Sequence, residues 1–474
     1  MKNLLSIMKL VGLFALITLP MIGWSQNDIQ YYRPYDQRGA NIFESPKSDM
    51  GVSGDFKVRL GANFAQQFQS LDHSNKADFI PLPYKTSSGA IDTTSANQLV
   101  DLSPGFNLAT ANMNIDAQLG EGIRVNVVTY LSARHHQEAW VKGGFIQFDK
   151  LPFFNSEAID KVMDNLTIKV GHYEVNYGDA HFRRSDNGAA LYNPFIENLI
   201  LDAFNTEIGG ELIFQKNGLL LVGAVTSGEI KGDVVALPAL DPDKDVDDLS
   251  KKSPAFVGKL GYDKQVNDDL RIRITGSTYY TASSRSNNIY GGDRAGSRYY
   301  LAMEPERVKN AATGLGDAVS TSANFYSGRL APRYSDKVFT FMINPFIKYK
   351  GIEFFGTYEN ANGRQSSEAD MRNATQIAAD LIFRFGKEEN FYVAGRYNTV
   401  KAELPITKIS GVEYFGIDNP VTISRYELSA GWYVNKNILA KLAYVNQEYK
   451  DYPTKSIFSE GKFNGVMVEA VVGF

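Results

Sequence analysis

Val466-Met467-Val468-Glu469-Ala470-Val471-Val472-Gly473-Phe474 are the last residues of the chain. In a β-strand, successive side chains point to opposite faces. Phe474, Val472, Ala470, Val468 and Val466 then share one apolar face, and Gly473, Val471, Glu469, Met467 and Gly465 share the other. The carboxylate of Glu469 argues against a strand buried in apolar surroundings on both sides. The reading is a strand with one face against a greasy medium and the other against a polar one, ending in an aromatic ring.

The same two-sided pattern recurs upstream. Bilayer-crossing strands read as segments of about ten residues with period-2 alternation, separated by turn residues. Such segments run over approximately 54–69, 105–119, 122–133, 137–148, 165–174, 205–216, 218–228, 255–264, 269–281, 337–349, 351–361, 376–386, 390–400, 421–434, 437–449 and 463–474. Leu270, Ile272 and Ile274 oppose Arg271, Arg273 and Thr275. Ile123, Val125 and Val127 oppose Arg124 and Asn126. Tyr426, Leu428, Ala430 and Trp432 oppose Arg425, Glu427 and Ser429, and Leu381 and Phe383 oppose Asp380 and Arg384.

The connectors form a second pattern. Those at 119–122, 215–218, 264–268, 348–351, 385–390 and 434–437 are short, with Asn-Gly, Asn-Asp and Lys-Gly turn chemistry. Those between them, at 70–104, 175–204, 229–254, 282–336, 362–375, 401–420 and 450–462, are mostly long. Two depart from the rule: 134–137 is short, and 149–164 is long, with Ser156 to Val162 readable as a helical turn capped by Asn155 or Ser156. Short turns on one side and long loops on the other describe an all-β, transmembrane antiparallel β-barrel with short periplasmic turns and long extracellular loops. The count is about 16 strands, with 18 as the alternative.

Composition agrees. The chain has 474 residues, 41 Gly, 29 Phe, 26 Tyr, 3 Trp and no Cys. Without Cys there is no disulfide framework, zinc–thiolate site, iron–sulfur cluster, cysteine nucleophile or acylated lipoprotein N-terminus. Lys2, Lys9 and the apolar Leu10 to Leu19 read as a secretory signal over 1–25, with Gly23-Trp24-Ser25 ahead of a cleavage site before Gln26. Removing it takes the formal charge from −4 to −6, since 49 basic residues become 47 against 53 acidic. A mildly acidic chain with no basic block is no nucleic-acid binder. After residue 25 no apolar run reaches membrane-helix length. The expected organisation is a signal peptide at 1–25, a periplasmic N-terminal segment at 26–52 and a barrel at 53–474.

A charge facing lipid at mid-membrane costs about 2–4 kcal/mol, so the charged faces must line the lumen. The inward bases are Lys57, Arg59, Arg124, Lys169, Lys259, Arg271, Arg273, Lys348, Arg384, Arg396, Arg425 and Lys441. The inward acids are Asp55, Asp116, Glu207, Glu211, Asp263, Glu353, Glu359, Asp380, Glu427 and Glu469. They form either opposed rings that sort solutes by charge or paired ladders along the wall. A sixteen-strand barrel is wide enough for an aqueous channel. Loop 175–204, with Tyr177, His181, Phe182, Arg183, Arg184, Tyr192 and Phe195, is the leading site candidate. It either folds inward to narrow the lumen, where Arg183 and Arg184 meet anions, or packs on the rim with those arginines paired to Asp179 and Asp186. His181, Arg124, Arg271, Arg273, Arg396 and Arg425 complete the candidate solute-contacting set. No cofactor and no metal are expected. The five His lack ligand spacing, His135-His136 read as surface residues, and the acidic run from Asp241 to Asp248 lacks the Gly and Glu of an EF-hand.

Phe474, Val472 and Ala470 resemble the C-terminal assembly signal of bacterial outer-membrane barrels. Val170-Gly171-His172-Tyr173 with Tyr177-Gly178 resembles the strand-and-loop signature of the phosphate-selective porin O and P family, and the layout resembles porin-like proteins of the Bacteroidota. His172 stands where that signature usually has Gln, and Asn176 where it often has Pro. The resemblance implies a non-enzymatic homotrimeric porin in the outer membrane of a Gram-negative bacterium, a passive channel for small polar or anionic solutes. It implies contact with outer-membrane lipid and lipopolysaccharide, and delivery by the barrel assembly machinery. An adhesin or structural barrel and a barrel enzyme remain the alternatives.

Overall fold

The computed structural model describes residues 29, 32–45, 47 and 54–474, except 133–137, 187, 231–251, 285, 292–295, 321–325 and 410. The signal at 1–25, His135-His136 and the acidic run from Asp241 to Asp248 lie outside the described residues.

Sixteen long strands alternate up and down: β1 (Lys57–Ser74), β2 (Thr110–Gly120), β3 (Ile123–Ser132), β4 (Glu138–Phe148), β5 (Leu166–Glu174), β6 (Thr206–Lys216), β7 (Leu219–Thr226), β8 (Ala255–Gln265), β9 (Leu270–Thr281), β10 (Lys337–Tyr349), β11 (Ile352–Arg364), β12 (Arg372–Phe385), β13 (Phe391–Ala402), β14 (Val421–Asn435), β15 (Ile438–Lys450) and β16 (Lys462–Gly473). Each pairs antiparallel with the next. The ring closes where β1 meets β16, with Phe64 opposite Val472 and Phe68 opposite Val468. The sheet is 17-stranded only because the two-residue Gly105–Phe106 adds a rung against β1. The barrel count is therefore sixteen.

Burial alternates along the strands. Met467, Glu469 and Val471 of β16 are buried, while Val466, Val468, Ala470 and Phe474 face outward. Outward apolar side chains are left largely exposed all round the wall, including Leu260, Leu381, Leu428 and Leu442. Leaving such a continuous apolar surface in water would be prohibitive at roughly 25 cal/mol per Å², so the outer wall is a lipid-facing surface. No helix among the described residues is long and apolar enough to cross a membrane; the strands do the crossing. At the end carrying the short connectors (the turn end), Phe383, Phe385, Phe391 and Trp432 stack in a row at 5.6, 5.8 and 6.0 Å, as an interfacial aromatic girdle does.

Strand limits differ from the sequence reading mostly at the opposite, loop end. β1 continues to Ser74, β11 to Arg364, and β12 starts at Arg372. Here outward positions carry amides, and Asn360, Asn362, Asn373 and Thr375 hydrogen-bond to one another across β11 and β12. Above the hydrocarbon the outer face need not be apolar, so the alternation that marks a strand fades before the strand ends. The long connector at the turn end does hold a helix, α1 (Glu157–Met163), capped by Ser156 without a side-chain bond.

The stretch ahead of β1 differs more. The sequence reading leaves 26–52 outside the barrel. Its described part, 32–45, is packed inside the turn end. Gln37 donates its backbone N–H to Lys436 of the β14–β15 turn at 2.7 Å, and Phe43 is 3% exposed against Phe182 and Phe346.

Candidate functional site: the barrel lumen

The inward charges pair across neighbouring strands. Arg59 faces Asp116 on β2 at 2.9 Å, Lys169 faces Glu211 at 2.7 Å, Arg273 faces Asp263 at 3.0 Å, Asp380 faces Arg396 at 2.7 Å, and Lys441 faces Glu469 at 2.6 Å. All five are directly opposed in register. The wall thus carries ladders rather than opposed rings. The sequence shows which face a residue occupies but not which residue it meets, so the choice could not be made before the register was known.

Residues 175–204 bond to inward side chains on two separate parts of the wall. Near its start, Gly178 donates its N–H to Ser277 at 2.8 Å. Asp179 donates its N–H to Asn344 at 2.8 Å. The Asp179 carboxylate accepts from Arg273 at 2.7 and 2.8 Å, Thr275 at 2.7 Å and Lys259 at 3.2 Å. Burial alone would raise its pKa; Arg273 and Lys259 hold it below the ordinary value. Gly178 has φ +69 and lies where a Cβ would strike the sulfur of Met342 at 2.2 Å, so the turn needs a residue without a side chain. Farther along, Lys441 Nζ donates to the carbonyls of Ala190, Asn193 and Phe195 at 2.8, 3.0 and 3.0 Å. Tyr392 and Tyr433 donate to Pro194 and Leu191, and Arg425 to Asn198. The segment therefore leaves β5, reaches β8–β10, crosses to β13–β15 and returns to β6.

The N-terminal segment meets it. Arg183 donates to Glu353 at 2.6 Å and to Asn41, which itself donates to Glu353 at 2.6 Å. Glu44 bridges Arg273 at 2.7 Å and Lys259 at 3.0 Å. Against the upward push of burial, those two cations hold the Glu44 carboxyl well below the usual range.

The remaining candidates are placed as follows. His181 contacts Glu174 at 2.9 Å and Asn176 at 3.1 Å, and its ring lies on Phe182. Arg184 pairs with Asp202 at 2.6 Å, not chiefly with Asp186, which is 3.4 Å away. Arg124 pairs with Asp149 and lies over Tyr32. Arg271 pairs with Asp263 at 2.7 Å. Arg425 bonds Gln447 and backbone carbonyls. Arg183, Arg271 and Arg273 converge on the rings of Phe43, Phe346 and Phe355, while Arg124, Arg396 and Arg425 lie elsewhere on the wall. The sequence reading missed Arg33, Tyr35, Asn41, Phe43 and Glu44, because a short aperiodic stretch gives no face to read. It also passed over the inward amides of β2, although Asn112 and Asn114 alternate with Ala111, Met113 and Ile115 in step with the inward Asp116.

Between the inserted segments and the wall of β1–β6 lie cavities of about 190 and 270 Å³, bounded in common by Arg33, Tyr35, Asn114, Asn126, Tyr173 and His181 among others. A third, of about 410 Å³, adjoins the second at Phe43, Glu44 and Gln215, beside the β6–β7 turn. Among the described residues no group of His, Cys, Asp and Glu is arranged to hold a metal.

These features define a closed sixteen-strand transmembrane barrel with a polar, partly filled lumen. Solved structures of outer-membrane proteins resemble it. The anion-selective porin from Comamonas acidovorans is 9% identical, with 89% of this chain and 100% of that one covered and a TM-score of 0.46. The outer membrane channel DcaP of Acinetobacter baumannii is 9% identical over 90% and 99%, TM-score 0.45. The outer membrane protein OmpT of Vibrio cholerae is 8% identical over 90% and 99%, TM-score 0.45. No family model and no curated protein matches the chain. At such distances the function must be argued from this lumen alone.

Proposed function

We propose that the chain is a porin of a Gram-negative outer membrane, a passive diffusion channel for small polar solutes that works without a covalent step. The observation that supports this is the row of three adjoining cavities, two along β1–β6 beside the segment 175–204 and a third against β6–β9 beside residues 42–47. In this reading that segment and residues 32–45 narrow the bore, and solute passes on the side they leave open. The kinship suggested by 170–178 to the phosphate-selective porins, a homotrimeric assembly, contact with lipopolysaccharide, a signal peptide and delivery by the barrel assembly machinery belong to the same proposal.

Planar-bilayer recording tests it, with stable ohmic openings expected. A well-folded but silent barrel would favour a structural or adhesion role, to which the filling of the lumen by its own segments also points. Because the wall charges cancel in pairs, we expect a modest reversal potential across a KCl gradient. Replacing Arg183 and Arg184 together by Ala takes a cation from Glu353 and another from Asp202. The reversal potential should then move toward cation preference; no movement would exclude both residues from the conducting path.

A further inference from the structure

The cavity of about 190 Å³ is lined on its barrel side by four amides, Asn63, Asn112, Asn114 and Asn126, from the consecutive strands β1, β2 and β3. Asn63 and Asn112 are directly opposed across β1 and β2. The inserted segments and β5 supply the rings of Tyr35 and Tyr173. Three of these groups are unfinished. Asn63 Oδ1, Asn112 Oδ1 and Tyr173 Oη have no hydrogen-bond partner among the described residues, although the three residues are only 2%, 4% and 3% exposed. Asn114, between Asn112 and Asn126 on the same wall, is 6% exposed. Buried polar groups left without a partner cost about 1–3 kcal/mol each, unless something else occupies the site.

Most of the charged groups around the same cavity are engaged with one another. Lys142 pairs with Asp186, Glu174 with His181, and Arg184 with Asp202. Arg33 lies 3.6 Å over the Tyr192 ring and offers a buried Nη2 without a partner. An ion entering the cavity loses water and finds most counter-charges taken. A neutral molecule rich in hydroxyls does not bear that cost. Each hydroxyl donates and accepts, as each amide does, and its C–H faces can lie against aromatic rings. We propose that this amide-and-tyrosine cavity is a binding subsite for a neutral polyhydroxylated solute, a mono- or disaccharide. The proposal rests on the channel reading for its purpose, not for its chemistry.

The test uses the full-length barrel in detergent and in planar bilayers, with sucrose and glucose as probes and with inorganic phosphate and a polyethylene glycol of sucrose's size as comparisons. Sugar should give saturable heat in calorimetry and concentration-dependent interruptions of ion current. Phosphate and the glycol should give neither. Asn114→Ala should weaken sugar binding about ten-fold, the loss expected for one or two hydrogen bonds, and Asn114→Ser serves if that variant does not fold. Absent sugar heat in a folded barrel, an unaltered response in the variant, or displacement of sugar by phosphate would overturn the subsite. Equal block by the glycol would reduce it to sieving and overturn it too. Ohmic current without sugar heat sinks the subsite and leaves the porin; saturable sugar heat in a silent barrel does the reverse.

Discussion

Asp179 shows what a single residue does in this lumen. Its carboxylate is bonded to Arg273, Lys259 and Thr275 while its own N–H holds Asn344. Asp179→Asn leaves Lys259 and Arg273 with Glu44 as their remaining close buried anion. Breaking a buried ion pair from one side costs about 3–5 kcal/mol, so a clear fall in the urea midpoint, followed by heat-modifiable migration, is expected. The exposed pair Lys76–Glu460 makes the control: at 2.6 Å it is just as short, yet both side chains are mostly in solvent, and removing it should leave the midpoint where it was. The sequence located Lys259 and Arg273 on the right face, because a lipid-facing charge is so costly that parity alone assigns it. It did not locate their partners, because Asp179 and Glu44 come from segments with no period.

At the scale of the element, the segment 175–204 owes its position to close approach as well as to bonds. Gly188 sits where a Cβ would lie 2.5 Å from the Asn63 carbonyl and 2.8 Å from the Ala111 Cα. Gly188→Val should therefore push the segment off β1 and β2, seen as faster hydrogen exchange at 185–195 and a larger single-channel conductance. The long connector between β9 and β10 gives a pH dependence. Burial raises the Glu304 carboxyl from 4.5 to about 7, opposed by a hydrogen bond from Ser327. The folded pKa exceeds the unfolded one, so folding favours the protonated form. Docking of this connector against Leu99 and Val100 is then strongest below about pH 4.5 and weakens as the pH rises to about 7. Limited proteolysis of the connector should increase over that window, and Glu304→Gln should flatten the response. An unchanged profile would remove Glu304 as its source. The aromatic content of 175–204 was visible in the sequence, and Tyr177, Tyr192 and Phe195 are indeed buried; where the connector at 282–336 runs was not, since it has no alternation and few landmarks.

For the whole molecule, girth was the most readable property. Lipid on one side and polar groups on the other impose the same two-residue rhythm on most strands, with β7, apolar on both faces, as an exception, and turn lengths then count them. The filling of the bore was the least readable. Residues 32–45 enter from the turn end and make up part of the lining of all three cavities. Deleting residues 26–47 should leave a closed barrel, because β1 still pairs with β2 and β16, and should raise the conductance. An unaltered conductance would mean that ions travel by another route. Residues 32–45 also have a mechanical meaning. They come in through one mouth, the segment 175–204 comes in through the other, and the two are tied where Asn41 and Arg183 share Glu353. A tug on the chain's beginning would be transmitted down the middle of the cylinder to its far rim, like a bell-pull, without the staves having to flex.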